Sequence, residues 1–422
     1  MVVFMKASEV DKKAATGTAR NLDISALTDR GEQASLMEPM RISETSRHRE
    51  GLVDLAVDLV AHAAGFRRSL PAGVLTALAS LVRAMNCYYS NLIEGHYTHP
   101  VDIERALKED YSASPERRNL QVEARAHIAV QQWIDDGGLA GRALTREGIC
   151  EIHKRFVELL PEEMLWIEDA GGGERMRLVP GAVRSRDVRV GQHIAISPGA
   201  VPRFLDRFER TYSSLGKAES IIAAAAAHHR VLWIHPFVDG NGRVARLMSH
   251  AMLLEALDTG GVWSIARGLA RNMKGYKGHL AACDLPRHND LDGRGHLSEE
   301  GLAAFTRFFL ETCLDQVKFM EELVQPRRLR DRIMLWSEEA VRADLLPPKA
   351  GRILEAILYR GELPRGEIPE LLGASERNAR RIVAALAEHG AIVSESTRAP
   401  LRLAFPAKLA SRWMPGLFPE AP

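Results

Sequence analysis

This 422-residue chain has little of what would tie it to a disulfide scaffold. Its four cysteines, Cys87, Cys150, Cys283 and Cys313, lie far apart and form no CxxC pair, which also argues against a structural zinc site. Long apolar runs are absent. The longest, Ile221 to Ala227, falls far short of a membrane span and gives way to His228-His229-Arg230. The apolar start Met1 to Met5 is too short for a secretory core and is interrupted by Lys6, so the expectation is a cytoplasmic protein with no membrane partner. Charge of one sign is lacking too. Lys plus Arg number 56 against 55 Asp plus Glu, a net charge of +1, which excludes a polybasic coat but not a local basic face. No period of 20–50 residues recurs, which rules out a solenoid. Neither GxxxxGK[ST] nor a strand-borne GxGxxG occurs, so the commonest phosphate loops are missing.

What is present is a helical protein with room for two or three domains. The chain is 46% hydrophobic, enough for a sizeable core. Residues 1–48 are polar and small without periodicity and read as a flexible tail. From Leu52 apolar residues recur at helical spacing, and helices follow through 49–115 and again through a core at 116–325. Within that core, residues 168–198 break the pattern: Gly171-Gly172-Gly173 is followed by alternating Val188, Val190 and Ile194, predicting a loop and short hairpin. Pro326 opens a connecting helix at 326–346, and Pro347-Pro348 marks a last boundary. Over 347–422 the order helix, helix, turn, helix, hairpin predicts a winged helix.

The segment Ile234-His-Pro-Phe-Val-Asp-Gly-Asn-Gly-Arg-Val-Ala-Arg246 carries the chemistry. Pro236 stops the alanine-rich helix before it. Gly240 and Gly242 permit a tight loop that a ligand can approach closely. The next helix then turns its free N–H groups and positive dipole end toward the loop, which makes an anion site. Arg243 and Arg246, three apart, share a helical face and can clamp an oligophosphate. Asp239 is a hard oxygen ligand suited to Mg²⁺, and His235 is positioned as a general base for a hydroxyl. Any one of these residues could be structural. Their conjunction describes a nucleotide-transfer site, because a turn requires neither two in-phase arginines nor a carboxylate beside the glycines.

His235-Pro-Phe-Val-Asp-Gly-Asn-Gly-Arg-Val-Ala-Arg246 matches the Fic signature HPFx[D/E]GNGRxxR without departure, so the chain resembles the Fic family. The resemblance implies a mainly α fold, a helical bundle with a β-hairpin flap, and transfer of AMP from ATP to a protein hydroxyl. His235 would deprotonate the target Ser, Thr or Tyr, and Asp239 would hold Mg²⁺. Gly240, Asn241, Gly242 and Arg243 would cradle the phosphates, Arg246 would reach the γ-phosphate, and Phe237 would anchor the loop in the core.

Upstream, Ser90-Asn-Leu-Ile-Glu94-Gly95 fits the family's inhibitory pattern [S/T]xxxE[G/N]. By resemblance Glu94 would pair with Arg246 and keep the γ-phosphate out of its productive pose, with Ser90 and Gly95 completing the motif. Val188 and Val190 fall where the family carries its flap, whose strand edge could align a target peptide. Tyr276 falls in the helix that lines the adenine pocket of relatives. In the C-terminal domain Arg377, Arg380 and Arg381 give the helix after Ser375 a basic face for DNA, diluted by Glu367, Glu370, Glu376 and Glu388. Three readings stand. One is an ATP- and Mg²⁺-dependent protein adenylyltransferase acting on other proteins or on itself. Another is a DNA-binding regulator whose Fic domain senses nucleotide. The third is an enzyme that transfers or removes another nucleotide group. A homodimer is compatible with each.

Overall fold

The structure, a computed structural model, describes residues 2–4, 27–67, 70–168 and 175–419. It is mainly α, with small antiparallel strand pairs. A strand β1 (Val2–Phe4) precedes helices α1 (Arg49–Arg67), α2 (Ala72–Glu94), α3 (Pro100–Leu107), α4 (Pro115–Asp135) and α5 (Arg146–Glu158). Two hairpins follow, β2 (Trp166–Glu168) with β3 (Arg175–Arg177) and β4 (Val188–Val190) with β5 (His193–Ile194). Then come α6 (Val201–Tyr212), α7 (Lys217–Ile234), α8 (Asn241–Leu257), α9 (Ile265–Arg271), α10 (Met273–Cys283), α11 (Glu299–Leu323) and α12 (Pro326–Arg342). The chain closes with α13 (Ala350–Arg360), α14 (Ile368–Leu372), α15 (Glu376–Glu388), β6 (Ile392–Val393), β7 (Arg402–Leu403) and α16 (Ala407–Trp413). Where one hairpin was expected between α5 and α6 there are two; the glycines 171–173 lie outside the described residues.

The chain divides into two compact units. The first comprises residues 1–56, 136–256 and 272–310. Its centre is α7, buried on nearly every side from Ile221 to Ile234. Ala223 to Ala227 carry no bulk beyond Cβ, so neighbouring helices can approach closely. Against α7 lies α6, which buries Val201, Phe204, Leu205, Phe208 and Tyr212 at i, i+3, i+4 spacing. The backbone of β1 pairs antiparallel with β4, so β4 is the central strand of a three-stranded sheet in the order β1-β4-β5.

Residues 27–48 correct the expectation of a flexible tail: they form a strap held along this unit. Thr28 accepts the Gly199 amide at 2.9 Å. Glu32 accepts the backbone amide of Ser197 at 2.8 Å, and Arg30 pairs with Asp187 at 2.8 Å. Asp29 pairs with Arg203 and Glu38 with Arg207, while Pro39 gives its carbonyl to the buried Arg230 guanidinium at 2.7 Å. Charge and backbone bonds fix this segment together with the buried Met37, Met40 and Ile42, which are too few to give it an apolar periodicity.

The second unit comprises residues 57–135, 257–271 and 311–422. Here α2 buries Val74, Leu78, Leu81, Val82 and Met85 and packs against α9, α4, α3 and β7. Gly95 ends α2 in the left-handed region at φ 89°, where its amide bonds to Leu92 O and that of His96 to Asn91 O, the Schellman pattern. Ser375 caps α15 by accepting the Asn378 amide, and α15 buries Ala379, Ile382, Val383 and Leu386. Trp413 is fully buried, edge-on to Trp336 and Phe405. The sequence boundaries after 115 and after 346 therefore separate segments that share one core. Tyr89 donates to Leu417 O at 3.2 Å, and Glu104 accepts the Ala407 amide at 2.8 Å, tying α2 and α3 to the C-terminal residues.

Candidate active site

The last carbonyls of α7 define the site. A helix ends with orphan C=O groups that must find partners when buried. His235 turns the chain out of α7 in the left-handed region, at φ 50° and ψ 62°, a conformation that is costly for a residue with a Cβ and that persists only where its surroundings impose it. Its own Nδ1 lies 3.3 Å from Leu232 O. A carbonyl can only accept, so Nδ1 carries a proton, and whenever the ring is neutral Nε2 is its basic nitrogen. Trp233 O accepts from His193 Nε2 at 2.8 Å. His235 O accepts from Arg184 Nε at 2.8 Å, and Pro236 O from the Arg184 amide at 2.8 Å.

The following loop is held from beneath. Phe237 is fully buried and its ring stacks on His153 of α5, with centroids 3.9 Å apart and planes within 3°. Asn241 clamps the loop from both sides: its Oδ1 accepts the Phe237 amide at 2.9 Å, and its Nδ2 donates to Phe237 O at 2.8 Å. Gly240 sits at φ 81°, and a Cβ there would also meet the His153 ring at 3.5 Å. His153 Nδ1 accepts the Gly181 amide at 3.0 Å, and burial pushes this imidazole down to about 4, so it stays neutral.

From this loop α8 starts, and the N–H groups of a helix's first turn have no partner within the helix, the arrangement that attracts phosphate. Arg243 is largely buried, its guanidinium 4.7 Å from the centre of the Phe156 ring and 3.0 Å from Asp239 Oδ2. Arg246 is also buried, one turn on. The Asp239 carboxylate is about half exposed (46%), a hard oxygen donor at the mouth of the loop. Mg²⁺ fits that donor, because phosphates and water commonly complete its shell around a single protein carboxylate.

Thus His235, Asp239, Gly240, Asn241, Gly242, Arg243 and Arg246 all fall in the first unit. Ser90, Glu94 and Gly95 fall in the second, with Ser90 fully buried and Glu94 exposed at the end of α2. In the flap, Val188 turns inward and is fully buried, while Val190 is exposed. Tyr276 differs from the expectation of a pocket-lining side chain. It is 2% exposed, and its hydroxyl lies 2.7 Å from His228 Nε2. The Ser249 hydroxyl donates to Ala245 O, so His228 donates to Ser249 through Nδ1 and accepts from Tyr276 through Nε2. A phenol needs such a partner when it is buried, and this one draws Tyr276 into the core. Arg377, Arg380 and Arg381 are exposed on α15, with Arg380 paired to Glu376 and Arg381 donating to Asn378.

Sequence reasoning missed Arg184, His153 and His193, which stand outside the motif and hold it. No local spacing links them to His235; the Arg184–His235 bond spans 51 positions.

Residues 143–253 match the Fic/DOC family profile. A sea-anemone protein (Nematostella vectensis), named protein adenylyltransferase Fic, is 29% identical over 196 residues, 44% of this chain and 42% of that protein. A fruit-fly protein of the same name (Drosophila melanogaster) is 34% identical over 115 residues, 27% of this chain and 20% of its own length. The chain thus spans less than half the length of these curated relatives. A crystal structure of a Fic family protein from Desulfovibrio desulfuricans matches 86% of this chain and 98% of its own, with a TM-score of 0.50 and 17% identity, a likeness of fold.

Proposed function

We propose that this chain is a protein adenylyltransferase: it moves AMP from Mg²⁺-bound ATP to a Ser, Thr or Tyr hydroxyl of a protein, itself included, under restraint by Glu94. The observation that carries this is the His235 ring, whose Nδ1 is tied to Leu232 O so that Nε2 is the basic nitrogen, set beside the N-terminus of α8 and two buried guanidiniums. Similarity to proteins named adenylyltransferases supports it. Nε2 takes the proton of the target hydroxyl while its oxygen bonds to the α-phosphorus. The α–β bridge breaks, and pyrophosphate leaves with the bonding pair. The α8 amides with Gly240, Asn241, Gly242 and Arg243 hold the phosphates, and Arg246 takes the outermost charge. Mg²⁺ on Asp239 would neutralise phosphate charge.

The β4 edge is the place for an extended target segment to add as a strand; in the free chain β1 pairs there, so the target would take the place of Val2–Phe4. Glu94, on the Ser90–Gly95 motif, would pair with Arg246 and hold the γ-phosphate away, and loss of one partner from such a pair is costly. The exposed basic face of α15 favours a second role, a winged-helix module at 347–422 that binds DNA phosphates. A salt-dependent shift of duplex DNA that Arg380→Ala/Arg381→Ala abolishes is the expected sign of that role.

Intact-mass spectrometry after incubation with Mg²⁺–ATP tests the main reading. Glu94→Gly should gain the mass of AMP, and Glu94→Gly/His235→Ala should gain none while still binding ATP. Equal labelling of wild type and Glu94→Gly would remove the restraint. A gain of different mass would change the transferred group, and labelling that survives His235→Ala would remove the base assignment.

A further inference from the structure

The flap and the base are one hydrogen-bonded assembly. The flap segment supplies the caps for α7: Arg184 and His193 satisfy carbonyls of residues 233, 235 and 236. The Arg184 guanidinium is 1% exposed and donates to backbone carbonyl oxygens. Nε reaches His235 O at 2.8 Å, one terminal nitrogen reaches Arg186 O at 2.8 Å, and the other reaches Ile196 O. Arg186 and Ile196 are the two roots of the β4–β5 hairpin. Desolvation pulls this guanidinium down to about 10, still fully charged at neutral pH. Burying a charge is expensive, and here planar fork geometry spends its donors on both the flap roots and the residue in the left-handed conformation.

We propose that Arg184, assisted by His193, is a positioning residue that sets the backbone of His235 and couples it to the flap, so that a strand docking on β4 is felt at the base. The inference rests on His235 being the base. A side chain reaching only His235 would cap the helix; one that also binds both hairpin roots cannot move with the flap without moving His235. A displacement of about 1 Å at a reacting group costs on the order of 100-fold in rate.

The test uses the full chain carrying Glu94→Gly, so that transfer is measurable, with Arg184→Lys, Arg184→Gln, Arg184→Ala and His193→Gln, each checked for thermal midpoint, Mg²⁺–ATP dissociation constant and single-turnover transfer. Arg184→Gln should lose about 100-fold in transfer with ATP affinity within about threefold, Arg184→Lys should lose less, and His193→Gln about tenfold. Guanidinium ion added to Arg184→Ala should restore part of the rate. Equal losses of affinity and rate, or an unchanged rate, would overturn the proposal. Should Arg184→Gln not fold, Arg184→Lys and His193→Gln decide. Amide hydrogen exchange gives a readout free of activity: Arg184→Lys should speed exchange in 186–196 and 234–240 together, and acceleration of only one segment would refute the coupling. Failure of His235→Ala to abolish transfer would instead strike the function reading and leave the exchange result standing.

Discussion

The loop before α8 and the strap before α1 are both irregular backbone in the same unit, yet they are held in opposite ways. The loop from His235 to Gly240 is buried through Phe237 and depends on a few side chains: Arg184 on its carbonyls, His153 under Phe237, Asn241 across it. The strap from Asp29 to Glu38 is largely exposed apart from the buried Met37 and is tied by carboxylate–guanidinium pairs to Asp187, Arg203 and Arg207. Buried bonds leave a large penalty when broken, whereas exposed pairs are screened and individually weak. A loop that must place a base and phosphates needs the first kind of support; a strap that only spans a surface can rely on the second.

Phe237→Ala attacks the buried side most directly. It should cost about 4 kcal/mol by urea denaturation and weaken ATP binding, because the loop loses its stack on His153. A cost under about 1 kcal/mol would show that the loop is held without the anchor.

Acid should sharpen the contrast next. Burial holds His153 and His229 down to about 4 and His228 to about 3, against an ordinary 6.5. Well above pH 6.5 both folded and unfolded chains leave these rings neutral, and the stability is full. As pH falls through 6.5 the unfolded chain takes up protons that the folded one refuses, so stability drops by about 2 kcal/mol at pH 6 for the three together. Urea midpoints at pH 7.5 and 6 measure this, and a flat profile would mean that the rings are protonated in place.

The smallest effect belongs to the strap. Asp29→Asn should speed amide exchange around 28–33 and lower the thermal midpoint slightly, and the difference should fade in about 1 M salt. The hydrogen bond from Arg203 holds the Asp29 carboxyl down to about 2, so its contribution persists above the ordinary carboxylate range and is lost as pH falls toward 2. An effect that survives high salt would place the strap with the loop rather than against it.

Much of the helical plan could be read directly. Helices such as α6 and α10 stand within the helical stretch expected over 116–325, because apolar spacing, proline stops and caps are local signals. Two short helices escaped: α9, buried from Ile265 to Ala270, and α16 are each only about two turns long, too short to show a period. The strap escaped because its partners lie more than 150 positions away.

By itself the sequence determined the motif, its loop, and the anion-attracting start of α8, since twelve contiguous residues carry proline, glycine and arginine at positions whose consequences are local. Tertiary structure alone decided what holds that motif in place. Arg184 reaches the base from the flap, His153 supports the loop from α5, and Tyr276 turns inward to a neutral histidine rather than outward. The C-terminal elements likewise share a core with α2 and α3 instead of standing apart. Each of these depends on which buried carbonyl, ring or hydroxyl lacks a partner once the helices have packed, and that need does not exist until the chain is folded.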